Sequence, residues 1–390
     1  MSKFINDRAT NLKQGGIRQF FDIASKYEKT INLGIGEPDS ITSRPVIQSA
    51  FDAMLEGKTR YTSNAGDLSV RESVAKYMKS YGISYDPASE IILTCGGMGA
   101  ISSSLLCIVS PGDEVLIQDP VWVNYISQVK FCGGIPVPVP TYERDAFSLK
   151  VDEIITRITP RTKVLILNSP CNPTGAIVSE DDMRQLVQIA QQHDLLVISD
   201  EVYCEMVYDG QKHLSIASFP GMKERTVVIN SFSKTFAMTG WRLGFAAGPS
   251  EIISKMVLLQ ENMVACAPAP AQFAGKLALD TMCDVEQMRK KYQKRRDMVV
   301  GRINAISGIS CLKPAGAFYI FINIKDLGIT SSDFALGFLD QKHVVTVPGS
   351  AFGEHGEGYI RLSYANSDEN LIEALNRMEQ YVNGLSRKHL

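Results

Sequence analysis

Hydrophobic positions along the chain fall into short apolar runs separated by stretches with helical spacing, the pattern of strands that alternate with crossover helices. Seven runs read as strands of one sheet: 91–94, 115–118, 135–139, 163–168, 195–199, 226–230 and 244–247. Between them, 179–193 reads as a helix, with Ser179 as its N-cap and Asp182 three positions on. Beyond residue 280 the texture changes to a long charged helix, strands at 309–313 and 317–322, further strands at 344–347 and 359–363, and a closing amphipathic helix from Ser367. The predicted fold is α/β: a large domain over residues 45–280, with a seven-stranded, mostly parallel sheet and helices on both faces, and a smaller α+β domain from residues 1–44 and 281–390. No internal repeat or low-complexity linker interrupts this plan.

Composition narrows the chemistry. With 390 residues, 45% hydrophobic and 21% charged, the chain can bury a large core and splits naturally into two domains. A net charge of -2 offers no basic field for nucleic acid or an anionic membrane. The basic run Arg289 to Arg296 has spacing that suits the wet face of a helix. Eight scattered cysteines without a CxxC pair read as reduced core thiols, and five histidines without an HExxH-type pair argue against a metal centre. The amino terminus lacks an apolar signal core and no apolar run is long enough to span a bilayer, so a cytoplasmic, soluble protein is expected.

Several strand ends carry residues with reactive potential. Lys234 follows the run 226–230 and stands among Ser231, Ser233 and Arg242, two hydroxyls and a guanidinium fork that suit a phosphate dianion. Taken alone, Lys234 is better read as an ordinary surface lysine. Asp200 ends another run, with Tyr203 one turn later; this pair suits either a cleft or a helix cap with a packing aromatic. Asn172 sits in Asn168-Ser-Pro-Cys-Asn-Pro-Thr-Gly175, a loop stiffened by two prolines and open to cis peptides at Ser169–Pro170 or Asn172–Pro173. Gly97 and Met98 precede a helical stretch, where exposed amides could hold a phosphate. The same glycines approach a dinucleotide fingerprint, with Asp119 at about the right distance, but fail at the third glycine. Trp122 suits ring stacking or core packing, and Arg361 in an apolar strand needs an anionic partner of some kind.

Ser231-Phe-Ser-Lys-Thr-Phe-Ala-Met-Thr-Gly-Trp-Arg242 resembles the lysine signature of the class I aminotransferases, fold-type-I enzymes that use pyridoxal phosphate. The likeness runs from about residue 17 to 385 through six motifs in order. It implies that Lys234 carries the cofactor as a Schiff base and moves the substrate proton. By the same likeness Ser231, Ser233, Arg242 and the backbone of Gly97 and Met98 hold the phosphate, and Asp200 faces the pyridine nitrogen. Tyr203 and Asn172 would meet the ring hydroxyl, and Trp122 would stack on the ring. Arg361, with Asn172, would clamp the substrate carboxylate beside Ile35 and Gly36 of Leu33-Gly-Ile-Gly-Glu-Pro-Asp39. Tyr61, in Arg60-Tyr-Thr-Ser-Asn-Ala-Gly66, would reach the phosphate of a second subunit, which implies a homodimer with shared active sites.

The expected reaction moves the α-amino group of an amino acid, of aspartate or aromatic type, to a 2-oxo acid such as 2-oxoglutarate. Arg18 suits either a distal carboxylate or the surface, and Met98 stands where some aspartate-preferring relatives have a polar group, so broad or aromatic preference fits as well as aspartate. A β-lyase or decarboxylase would keep Lys234 and Asp200 but break another bond. A nicotinamide dehydrogenase or a cofactor-sensing regulatory module are the readings from other classes.

Overall fold

All seven predicted runs join one sheet in the computed structural model, which describes residues 4–5, 20 and 22–386. Counting from the short β1 (Ile31–Asn32), its strands are β2 (Ile91–Thr94), β3 (Glu114–Asp119), β4 (Ile135–Pro140), β5 (Thr162–Asn168), β6 (Leu196–Asp200), β7 (Thr226–Ser231) and β8 (Gly244–Ala247). Their order across the sheet is β2-β8-β7-β6-β5-β3-β4, parallel except for β8, which runs antiparallel to both its neighbours. Side chains alternate between the two faces, which explains why these runs are apolar throughout. In β7, Val228 packs with Val70, Val74 and Ala274 on one side, while Val227 and Ile229 pack with Ala100, Leu105 and Met256 on the other. Helices therefore cover both faces of the inner strands, whereas the edge strand β4 is partly exposed.

The chain beyond residue 280 builds a second, antiparallel sheet of β9 (Ser310–Cys311), β10 (Tyr319–Asn323), β12 (Val347–Pro348) and β13 (Tyr359–Ser363), in the order β12-β13-β10-β9. The helices Val285–Asn304, Ser331–Lys342 and Asp368–Ser386 flank it, and they share a core with Phe318, Phe334, Phe338 and Tyr364. The predicted strand 344–347 is two strands rather than one. β11 (Val344–Val345) pairs in parallel with β1, whereas β12 pairs with β13, so the chain changes sheets at Thr346. Of the predicted strand 309–313, only Ser310 and Cys311 find a partner, β10.

The basic run 289–296 needs a correction. It lies in the helix Val285–Asn304, but Arg295 and Arg296 are buried rather than wet. Arg295 bridges Asp39 at 2.8 Å and Asp368 at 2.6 Å, and Arg296 bridges Asp209 at 2.7 Å. Sequence spacing placed these charges on one helix without revealing the carboxylates that three distant segments bring to them. The eight cysteines are free, four buried and four half-buried. Among the described residues, no helix is long and apolar enough to cross a membrane.

Candidate active site

The carboxyl ends of β5, β6 and β7 deliver Asn168, Asp200 and Ser231 to one edge of the large sheet, where α/β folds collect their ligands. A cleft of ≈ 350 Å³ opens there. Lys234, Asp200, Tyr203, Asn172, Trp122, Gly97, Met98, Ser231, Ser233, Arg242, Gly36 and Arg361 all line it. Residues separated by hundreds of positions in the chain thus meet in one cavity. Tyr61 does not: it is 87% exposed and lies outside the lining. Arg18 lies outside the described residues.

One end of the cleft suits a phosphate. The helix Gly96–Ile108 starts at this edge, and its N-cap Cys95 makes no side-chain capping bond. Its first amides therefore keep their capacity to donate to an anion. Ser231 and Ser233 lie beside them with hydroxyls 2.9 Å apart. Arg242 is fixed by a 2.8 Å bond from its Nη1 to the Thr239 carbonyl. Close approach depends on glycine: Gly96 has φ of +72°, and a Cβ there would stand 2.5 Å from Arg242 Nη2. A Cβ on Gly244 would likewise stand 2.7 Å from the Gly97 nitrogen, so strand and helix start touch backbone to backbone.

The middle of the cleft holds the titratable groups. Asp200 is buried; it accepts a 2.5 Å bond from the Tyr125 hydroxyl and a 3.2 Å bond from the Val202 amide. Burial pushes its pKa up to about 6, and these two bonds and Lys234 oppose the rise. Lys234 donates from Nζ to the Gly36 carbonyl at 2.5 Å. Burial lowers its pKa to about 8; Glu37 works against that shift, and Arg361 and Arg242 reinforce it. The Tyr203 hydroxyl shares a 2.7 Å bond with the Tyr319 hydroxyl, and burial raises both phenols. Trp122 meets Tyr125 edge to face at 5.3 Å.

Arg361 closes the other end. It projects from β13, opposite Phe321 of β10 and Val347 of β12, with its guanidinium over the rings of Tyr319 and Phe352. Its Nη1 donates to Asn172 Oδ1 at 3.0 Å and its Nη2 to the Gly34 carbonyl, while its buried Nε has no partner. A buried cation without an anion is costly, and a bound carboxylate would offset that cost. Asn172 is held by its own amide, which donates to Asn168 Oδ1 at 3.0 Å. Both proline bonds of this loop are cis, and Asp119–Pro120 is a third.

Tyr125 and Tyr319 escaped the sequence reading. Tyr125 lies three residues after Trp122, at helical spacing toward the same side, and that spacing was the available signal. Tyr319 sits in an apolar strand where an aromatic reads as core, and only the meeting of two sheets puts its hydroxyl beside Tyr203. Asp119, the acid of the near-dinucleotide pattern, lies outside the cleft and bonds His355 at 2.8 Å.

An anion cradle, a buried amine, a buried carboxylate and an arginine facing one cleft at the edge of a mostly parallel sheet suit a phosphopyridine cofactor with an amino acid. This chain belongs to the class I and II aminotransferases, whose family model matches residues 28–378, and it uses pyridoxal phosphate. It is 46% identical to aromatic-amino-acid aminotransferase 2 of Thermococcus litoralis, over 97% of this chain and 98% of that one. It is 47% identical to an aspartate aminotransferase of Pyrococcus abyssi at the same coverages, 97% and 98%. The crystal structure of an aromatic aminotransferase from Pyrococcus horikoshii superposes with a TM-score of 0.90 at 45% identity, covering 96% of this chain and all of that one.

Proposed function

We propose that the enzyme transfers the α-amino group of an aspartate-type or aromatic amino acid to a 2-oxo acid such as 2-oxoglutarate, with the cleft residues in the following roles. The observation that carries this reading is the meeting of Lys234, Asp200 and Arg361 in one cavity. Bound pyridoxal phosphate supplies an aldehyde for the amine and a ring that draws off the charge left on the α-carbon. The amides of Gly97 and Met98, the hydroxyls of Ser231 and Ser233, and Arg242 hold its phosphate. Asp200, kept in place by Tyr125, meets the pyridine nitrogen. Trp122 covers one ring face, and Tyr203 with Asn172 addresses the ring hydroxyl. Arg361 and Asn172 grip the substrate carboxylate beside Gly36, which fixes the α-carbon hydrogen toward Lys234. The Lys234 amine, lowered to about 8, then takes that proton at Nζ.

Substrate type follows the named activities of the relatives, and the apolar Met98, Ile101 and Trp122 in the lining favour a broad or aromatic side chain over aspartate alone. Exposed Tyr61 fits the role of reaching a second subunit's phosphate and supports a homodimer as the working unit, and a cytoplasmic location belongs to the same proposal. Residues 45–280 act as the cofactor-holding domain, and residues 1–44 with 281–390 as the smaller domain that carries Arg361. A panel of amino donors against 2-oxoglutarate, read as 2-oxo acid product, tests the assignment. In the same assay Lys234→Ala should stay folded, lose the visible absorption of the loaded enzyme and fall on the order of 10³-fold or more in rate. Undiminished turnover by that variant overturns the reading.

A further inference from the structure

A second buried acid lies directly behind Asp200. Glu201 is 2% exposed and is the next residue in the chain, turned away from the cleft. Its Oε1 accepts from Ser199 Oγ at 2.8 Å and Ser215 Oγ at 2.7 Å. Its Oε2 lies 2.8 Å from His213 Nε2, and each of these two side chains is 3% exposed. The edge of Tyr81 covers the imidazole at 5.6 Å between ring centres. The hydroxyls of Tyr77 and Tyr81 are committed to Glu205, at 2.8 and 2.5 Å, so they do not neutralise Glu201. Tyr85 and Cys204 feel the Glu201 charge, and neither supplies a cation.

Consecutive buried carboxylates cannot both stay ionised without compensation. Tyr125, Tyr203, Cys171, Glu201 and Lys234 are the titratable groups that act on Asp200, and Lys234 is its one cationic neighbour among them. Burial drives that lysine toward its neutral form. The two serines give Glu201 neutral donors only. His213 is the remaining group with a proton to add. We propose that His213 is a positioning residue, an imidazolium that cancels Glu201 so that Asp200 stays ionised toward the pyridine nitrogen. The proposal rests on the role of Asp200 given above. The mechanism itself gives no task to this pair, although its acid adjoins the cofactor's carboxylate in the chain.

Charge compensation predicts shifts of opposite sign from two mild substitutions. Glu201→Gln keeps an oxygen for the serines and removes the charge; His213→Gln keeps a donor and exposes the charge. In the cofactor-free protein, ¹³C NMR of side-chain-labelled aspartate follows the Asp200 carboxyl, assigned by the resonance lost in Asp200→Asn. From about 6 in the unsubstituted protein, the midpoint should fall by about one pH unit in Glu201→Gln and rise by a similar amount in His213→Gln. The double variant should follow Glu201→Gln. In the loaded enzyme the acid limb of kcat/KM should move in the same directions. Shifts of one sign in both variants, or none, overturn the proposal. If His213→Gln fails to fold, Glu201→Gln alone decides, since an unmoved midpoint is sufficient to reject it. Full cofactor affinity and turnover in Asp200→Asn would refute the ring-nitrogen role instead, and leaves the measured coupling of the two acids intact.

Discussion

Lys234 owes its lowered pKa chiefly to burial, and Arg361 and Arg242 reinforce the shift. Its burial would lower the amine further were Glu37 not opposing it across the cleft. Glu37→Gln should therefore lower the midpoint at which the cofactor-free protein captures pyridoxal phosphate, from about 8 toward neutrality. Capture rates measured against pH check this, and a midpoint that rises contradicts it. At the opposite end, Arg361 uses its planar fork on Asn172 and Gly34 and keeps Nε unpartnered. Lysine has the charge without the fork. Arg361→Lys should cost on the order of 10- to 100-fold in kcat/KM for amino acid and 2-oxo acid alike, with little change in cofactor affinity.

Among the elements, the start of the helix Gly96–Ile108 carries the phosphate cradle, and its geometry rests on glycine. Gly96→Ala places a Cβ at positive φ and against Arg242. A loss of cofactor affinity on the order of 10-fold is expected, with the fold retained, and absorbance titration of the cofactor-free variant measures it. The strands β5, β6 and β7 were legible to within a residue because fully buried strands are apolar along their whole length. The split at Thr346 was not legible, since two short apolar strands in adjacent sheets read as one run. The buried Arg295 and Arg296 were hidden for a related reason: spacing gives a helix face, while the partner carboxylates come from the loop at Asp39, the turn at Asp209 and the final helix.

At the scale of the whole molecule, Asp39 ties the loop that lines the cleft to the helix Val285–Asn304. Burial pushes its carboxyl up, but the bonds from Arg295 and Lys291 outweigh that and hold it below the usual 3.8. A lowered folded-state pKa means that its stabilisation is full above the unfolded value and is lost as pH falls through the folded one. Asp39→Asn should cost about 1 kcal/mol near neutral pH, and the difference from the unsubstituted protein should shrink and vanish as pH falls through and below the lowered carboxyl pKa. Urea unfolding at a series of pH values checks the sign. An unchanged difference at low pH would show that the bridge is not the source.

By itself the sequence determined the strand runs, the glycine and proline loops at their ends, and the motif residues whose order matches the aminotransferases. These are local properties, set by periodicity and by backbone geometry within a few residues. Tertiary structure alone decided that Tyr125 meets Asp200, that Tyr319 meets Tyr203, and that His213 stands behind Glu201. Each pair brings together residues that are not neighbours in the chain at hydrogen-bond distance, and such a distance depends on how the folded segments pack rather than on local periodicity.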